Sequence, residues 1–321
     1  MKKKLIYLIV SFSLLTGCSN SPNVLLCYSS TNVSSASLIG RSTTNDVADF
    51  FAEDLTIIPD NLNHMVDSKI SATSSLIVNN KNNEVIFSNN IYDRLYPASL
   101  TKIVTALVVL KHGDLTDTVT VSKNAASITE SGAKLLGLKE GDKLTLDDLL
   151  HAFLIYSGND AGIAIAEHVG GTEDNFSKMM NEEVRKVGAV QSNFVNSHGL
   201  HDDNHYTTAY DLYLIFNELV QFDKFVSIIN ETSYTIHYTD AKNRSVTKEF
   251  LTTNRYLRGT EAAPSDVTVL GGKTGTTSKA GNCLILYSKD NNDNSYISVI
   301  MQAENGNSLF SQMTRLLEMI P

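Results

Sequence analysis

Three short strings in this 321-residue chain carry residue types suited to acyl transfer: Ser99-Leu100-Thr101-Lys102, Ser157-Gly158-Asn159 and Lys273-Thr274-Gly275. A serine hydroxyl is a weak nucleophile until a base takes its proton. Ser99 and Lys102 stand three apart, which puts both on one face of a helix and makes the lysine the candidate base. At an ordinary pKa near 10.4 a lysine is neutral in only about one molecule in 2,500 at pH 7, and bringing that pKa down to neutrality costs about 4 kcal/mol. Burial and a second cation supply such a shift, and Lys273 is the candidate cation. Ser157 is suited to relay the proton to a leaving amine. Asn159 offers its amide to a substrate backbone or to Lys102. Each string alone also has a plainer reading, with Ser99 and Asn159-Asp160 as helix caps, Lys102 solvated, and Gly271, Gly272 and Gly275 serving strand geometry. Order and context favour the chemical reading: Ser99 opens a helix behind Pro97-Ala98, Ser157 falls in a turn between helices, and Lys273-Thr274-Gly275 ends a β-prone run behind Gly271-Gly272.

The elements that must hold these strings are legible in outline. Residues 73–79 and 84–88 are β-prone runs around an Asn/Lys turn, a hairpin signal. Apolar residues at helical spacing predict a helix over 99–110 stopped by Gly113, and Thr145 caps a helix running to about Tyr156. Further helices are expected over 160–169, 174–187 and 208–220. Strands are expected over 233–238, 245–250, 267–270, 282–288 and 295–302, then a closing amphipathic helix over 309–319. Strands at both ends and helices between them predict an α/β (α+β) fold. One antiparallel sheet is built from both ends of the body and flanked by helices, with a mainly helical lobe inserted.

The longer strings Tyr96-Pro97-Ala98-Ser99-Leu100-Thr101-Lys102, Ser157-Gly158-Asn159-Asp160-Ala161, His198-Gly199-Leu200 with His205-Tyr206-Thr207-Thr208, and Gly272-Lys273-Thr274-Gly275 carry a resemblance. Over about residues 60–320 the sequence resembles the serine-type D-alanyl-D-alanine carboxypeptidases, the low-molecular-mass penicillin-binding proteins of peptidase family S11. The resemblance implies a β-lactamase/transpeptidase-like fold and removal of the terminal D-alanine from peptidoglycan stem peptides ending in D-Ala-D-Ala. The route is an acyl-enzyme on Ser99, with β-lactams as covalent inhibitors. It implies an oxyanion hole from the backbone N–H groups of Ser99 and Thr276, worth about 3–4 kcal/mol per donor. Lys273, Thr274, Gly275 and Thr276 would bind the substrate, the lysine and the two hydroxyls holding its terminal carboxylate.

No metal or cofactor is called for. The cluster His198, His201, Asp202, Asp203 and His205 falls in a predicted loop, where its spacing does not align ligands, and the resemblance places His198 and His205 in a structural loop near the site. His151 and His168 read as packing or surface residues. A class A β-lactamase shares the three strings but needs a Glu about 36 residues past the serine of the second; that position is Asn193 and no Glu lies between Val187 and Ala209. The middle residue Gly158 departs from that class too. A transpeptidase or endopeptidase differs only in the acceptor. A non-catalytic wall-binding lipoprotein would be expected to lack Ser99 or Lys102.

The N-terminus reads as an export signal, with Lys2, Lys3 and Lys4 before a short apolar stretch over residues 5–15. Leu15-Thr16-Gly17-Cys18 resembles a bacterial lipobox, which implies cleavage after residue 17 and a two-chain lipid on Cys18, enough for stable anchoring. The protein is then expected exported and lipid-anchored on the outer face of the cytoplasmic membrane, the lipid replacing the C-terminal anchor of many family members. Residues 18–60 read as a tether, since 15 of the 28 residues 19–46 are Ser, Thr or Asn, and residues 61–321 as the D,D-carboxypeptidase domain. Residues 46–55 carry Phe50, Phe51 and Leu55 in what reads as a short helix. A composition of 42% hydrophobic and 19% charged residues is that of a globular protein. The net charge of −9, or −12 once residues 1–17 are gone, argues against nucleic acid as a partner. Three cysteines are too few for a disulfide framework, and a Cys27–Cys283 pairing is left open.

Overall fold

Residues 74–79 form a strand whose every side chain is buried, as expected of a strand covered on both faces. The computed structural model describes residues 56, 58, 59 and 62–321; the export signal, Cys18, Cys27, residues 46–55 and most of the tether lie outside the described residues. In chain order the elements are β1 (Ser74–Asn79), β2 (Glu84–Asn89), α1 (Thr101–His112), β3 (Thr118–Thr120), β4 (Lys143–Thr145), α2 (Leu146–Ile155), α3 (Asn159–Gly170) and α4 (Glu173–Lys186). There follow α5 (Ala209–Leu219), α6 (Asp223–Asn230), β5 (Ser233–Thr239), β6 (Ser245–Leu251), β7 (Val267–Thr277), β8 (Gly281–Asp290), β9 (Ser295–Ala303) and α7 (Gly306–Leu317).

The principal sheet is antiparallel, in the order β2-β1-β9-β8-β7, so β1 from one end of the body pairs with β9 from the other. Alternation along its strands sorts side chains into two cores. Leu76, Val78, Ile285, Ile297 and Val299 face the helical side. Ile77, Phe87, Leu284, Leu286 and Ile300 face α7, which answers with Leu309, Phe310, Met313, Leu316 and Leu317. Helix α1 is buried from Thr101 through Val109, apolar nearly all round because the sheet covers one side and the lobe the other. Thr145 caps α2 as expected, its hydroxyl accepting from Asp148 N at 3.0 Å.

Two expectations are corrected. The hairpin β5–β6 does not join the principal sheet; it pairs with β4 in a second, four-stranded sheet ordered β3-β4-β5-β6. The reason is in its pattern. Thr235, His237 and Thr239 are exposed while Ile236 and Tyr238 are buried, a strand with one wet face, unlike the doubly covered strands of the principal sheet. Strand β7 also runs past Leu270, where the expected strand stopped, to Thr277, so that the third string lies within the strand. Helix α6, absent from the sequence reading, buries Phe225, Ile228 and Ile229 behind β7, where a side chain at Gly271 would land 2.2 Å from Ile229 O.

Candidate active site

All three strings meet at one cleft of about 750 Å³ between the edge strand β7 and the helical lobe, lined by Ser99, Ser157, Asn159, Thr274, Gly275 and Thr276 among others. Ser99 sits in a 3-10 turn, Ala98–Leu100, that runs into α1. Ser157 occupies the α2–α3 turn and Asn159 opens α3. The two serine-bearing turns are strained, with Ala98 at φ +48° and Ser157 at φ +76°, conformations that side chains rarely adopt unless the surroundings impose them.

The surroundings of Ala98 are explicit. Its carbonyl accepts from Thr101 Oγ1 at 2.8 Å. His205 Nδ1 accepts from Val195 N at 3.1 Å, so its other nitrogen, 2.7 Å from Thr101 Oγ1, is left to donate. Burial, against a smaller opposing pull from Asp202, holds the His205 pKa down at about 4, so the ring is neutral and keeps this polarity. Gly199 backs the same turn, where a Cβ would fall 1.9 Å from Ala98 O. Burial, then the charge of Lys102, pushes His198 down to about 3, and its Nδ1 accepts from Leu200 N at 3.1 Å. The two histidines are thus tied into the loop behind the nucleophile.

Lys102 is fully buried beneath Ser99. Its Nζ lies 3.1 Å from Ser99 Oγ and 2.7 Å from Asn159 Oδ1, with the carbonyl of His198 as third partner. Two of these three are carbonyl oxygens, which only accept. A neutral amine has two N–H groups for them and one lone pair left for the Ser99 hydroxyl. Burial, then the charge of Lys273 with Lys134 adding to it, holds the Lys102 pKa well below 10.5, against a smaller opposing pull from Asp160.

Lys273 is 1% exposed and donates to Ser157 Oγ and to the carbonyl of Thr274, each at 2.9 Å. Burial first, then Lys134, lowers its pKa to about 7. On the cleft side of β7 the Thr274 hydroxyl pairs with that of Thr253 at 2.6 Å, and Thr276 Oγ1 donates to Asn282 Oδ1 at 3.1 Å. Gly275 is accounted for by backbone packing. A Cβ there would lie 2.9 Å from Pro97 O and 3.0 Å from Ser99 N, so only glycine lets β7 close against the nucleophile's turn.

Asp160 is not a cap. It lies inside the first turn of α3, and its carboxylate accepts from Leu136 N, Gly137 N and Leu138 N at 2.8, 2.8 and 3.1 Å, pinning the opposite wall of the cleft. That wall carries residues the sequence did not single out: Lys134 and Glu130, with Arg255 entering from before β7. No periodic or motif signal marks them. Asn193, the position a class A β-lactamase would need as Glu, donates from its side chain to Asn204 O at 2.6 Å and does not line the cleft. Cys283 is a free, buried thiol among the described residues, pushed up to about 12 by burial, while Cys27 lies outside them.

Known proteins resemble this chain in sequence and in fold. The sequence profile of the D-alanyl-D-alanine carboxypeptidase family, peptidase family S11, matches residues 61–305. The chain is 31% identical over 254 residues to D-alanyl-D-alanine carboxypeptidase DacF of Bacillus subtilis, covering 77% of this chain and 61% of that protein. Among solved structures, penicillin binding protein 5 from Haemophilus influenzae superposes with a TM-score of 0.69 at 28% identity, over 79% of this chain and 72% of that one. A variant of a Streptomyces DD-transpeptidase superposes at 0.72 and 24% identity over 78% and 97%, a likeness of fold. The chain therefore belongs to the D-alanyl-D-alanine carboxypeptidase family, and it spans about three fifths of the length of the curated relatives it matches.

Proposed function

We propose that the protein is a serine D-alanyl-D-alanine carboxypeptidase that removes the terminal D-alanine of peptidoglycan stem peptides. The observation that carries this reading is the buried Lys102 side chain, its Nζ 3.1 Å from Ser99 Oγ with two carbonyl oxygens, Asn159 Oδ1 and His198 O, as its other partners. The Ser99 hydroxyl gives its proton to Lys102 and attacks the carbonyl of the penultimate D-alanine. The backbone N–H groups of Ser99 and Thr276 receive the developing oxyanion. Ser157, its oxygen 2.9 Å from Lys273 Nζ, relays the proton that Lys102 took from Ser99 to the departing amine, so that Lys102 is neutral again for the water step. Free D-alanine leaves and an ester remains on Ser99; water then hydrolyses it. Asn159 holds the peptide backbone or Lys102. Thr274, Gly275 and Thr276 line the position of the terminal carboxylate, with the charge of Lys273 beneath them. A β-lactam acylates the same oxygen, but its leaving amine stays tethered by the opened ring, so deacylation is slow.

The reading extends to organisation: residues 1–17 as a cleaved leader, Cys18 as the lipidated anchor to the outer face of the cytoplasmic membrane, residues 18–60 as a tether, and residues 61–321 as the catalytic domain. The decisive experiment is mass spectrometry of a synthetic stem pentapeptide incubated with the protein, alongside labelling by a fluorescent penicillin. Loss of a single D-alanine and a stable penicilloyl adduct are expected, both abolished by Ser99→Ala. An unchanged peptide or rapid turnover of the penicillin would refute the reading.

A further inference from the structure

Lys134 lines the cleft together with Ser99, Ser157 and Thr274. Its loop is held rigidly from both sides. Asp160 takes three consecutive N–H groups of residues 136–138, while Lys248 Nζ donates to Leu136 O at 3.1 Å and to Gly137 O at 3.2 Å. A third tie, Asn159 N to Lys134 O at 2.7 Å, locks Lys134 itself to the start of α3. The ammonium lies 3.9 Å from the centre of the Tyr156 ring, next in sequence to Ser157. Among the described residues no carboxylate lies within ion-pairing distance of it. Its charge is felt instead by other cations: it lowers the pKa of both Lys102 and Lys273, and burial, then Arg258, lowers its own. A half-buried cation fixed among like charges is unfavourable unless an anion arrives to share it.

We infer that Lys134 is a specificity-determining cation, pairing directly with the C-terminal carboxylate of the bound peptide or the equivalent carboxylate of a penicillin. The inference rests on the proposed reaction. There, Ser157 protonates the leaving amine, and the carboxylate of that same residue is only one Cα away. Lys273 is sealed below, its ammonium committed to Ser157 Oγ and Thr274 O. Arg255, the other cleft cation, is drawn aside to Asn307 Oδ1 at 2.8 Å and over the Phe310 ring. Lys134 is the cation left beside Ser157 and open to solvent.

The test compares acylation by benzylpenicillin and by its methyl ester, read by intact-protein mass spectrometry. In Lys134→Met the preference for the free acid over the ester falls about 10- to 100-fold, the worth of a charge-assisted hydrogen bond, and Lys134→Arg restores most of it. Any effect through the pKa of Lys102 acts on both compounds alike and cancels in the ratio. If Lys134→Met does not fold, Lys134→Gln carries the same comparison. A preference unchanged from wild type overturns the inference while leaving Ser99 as nucleophile. A wild-type protein acylated by neither compound removes the proposed reaction itself and the inference with it.

Discussion

At the scale of single residues the proposed chemistry turns on two lysines in opposite states. In the proposed reaction Ser99 is activated only when Lys102 is neutral, and Lys273 adds its positive charge beneath the cleft only while it is protonated. The dependence of kcat/KM on pH is therefore bell-shaped, rising as Lys102 loses its proton and falling as Lys273 loses its own at about 7. A bound carboxylate favours protonated Lys273, so the alkaline limb of kcat lies above that of kcat/KM. Steady-state kinetics across neutral pH separates the two, and an alkaline limb of kcat/KM close to the ordinary 10.5 of lysine would show that Lys273 is not held as described. Replacing Lys102 by Ala leaves Ser99 without a base and lowers the acylation rate about 10³-fold, with the label signal of a fluorescent penicillin as the measure.

At the scale of elements the proposed nucleophile, Ser99, is placed by a contact between backbones. Strand β7 reaches the turn at Pro97–Leu100 because Gly275 has no side chain, and Gly199 with Thr101 and His205 holds the same turn from behind. In Gly275→Ala the added carbon meets Pro97 O at 2.9 Å and Ser99 N at 3.0 Å, atoms that cannot rotate away. The strand shifts by a fraction of an ångström to an ångström, and displacement of that order costs about 10²-fold in rate. Penicillin acylation of Gly275→Ala should fall by about that factor while circular dichroism stays native. Acylation within twofold of wild type would mean that β7 does not set the geometry at Ser99.

At the scale of the whole molecule the buried cations tie stability to pH. In the unfolded chain Lys273 keeps its proton to about 10.5, whereas folded it gives the proton up at about 7. The unfolded state thus binds more protons between those values, and stability rises with pH across that window. Lys102, also held down in the fold, adds to the gain in the same direction. Above about 9 Cys283 works the other way, since the unfolded thiol ionises there while the folded one waits until about 12. Between pH 7 and 9 the free energy of unfolding should climb, and Lys273→Met should remove one proton's share of the slope, about 1.4 kcal/mol per pH unit. Urea titrations at three pH values measure this, and parallel slopes in the two proteins would count against a neutral, buried Lys273.

What could be read from the chain alone was local. The three-residue spacing of Ser99 and Lys102, the Thr145 cap, the helical periodicity of α1 and the Asn/Lys hairpin turn all depend on neighbours in sequence, and each appears in the fold. The split into two sheets was also written in the strands, as one-faced against two-faced burial, but which strand pairs with which is a long-range choice. Asp160 looked like a cap because its first-turn position fits one; its carboxylate instead serves residues 136–138, more than twenty positions earlier. Lys134 carries no motif, and Gly275 had two readings until β7 was seen against Pro97. Residue types and spacing determined which groups could react. Only tertiary structure decided that two lysines lose their water and lie among other cations, because a pKa is set by what surrounds a group in space.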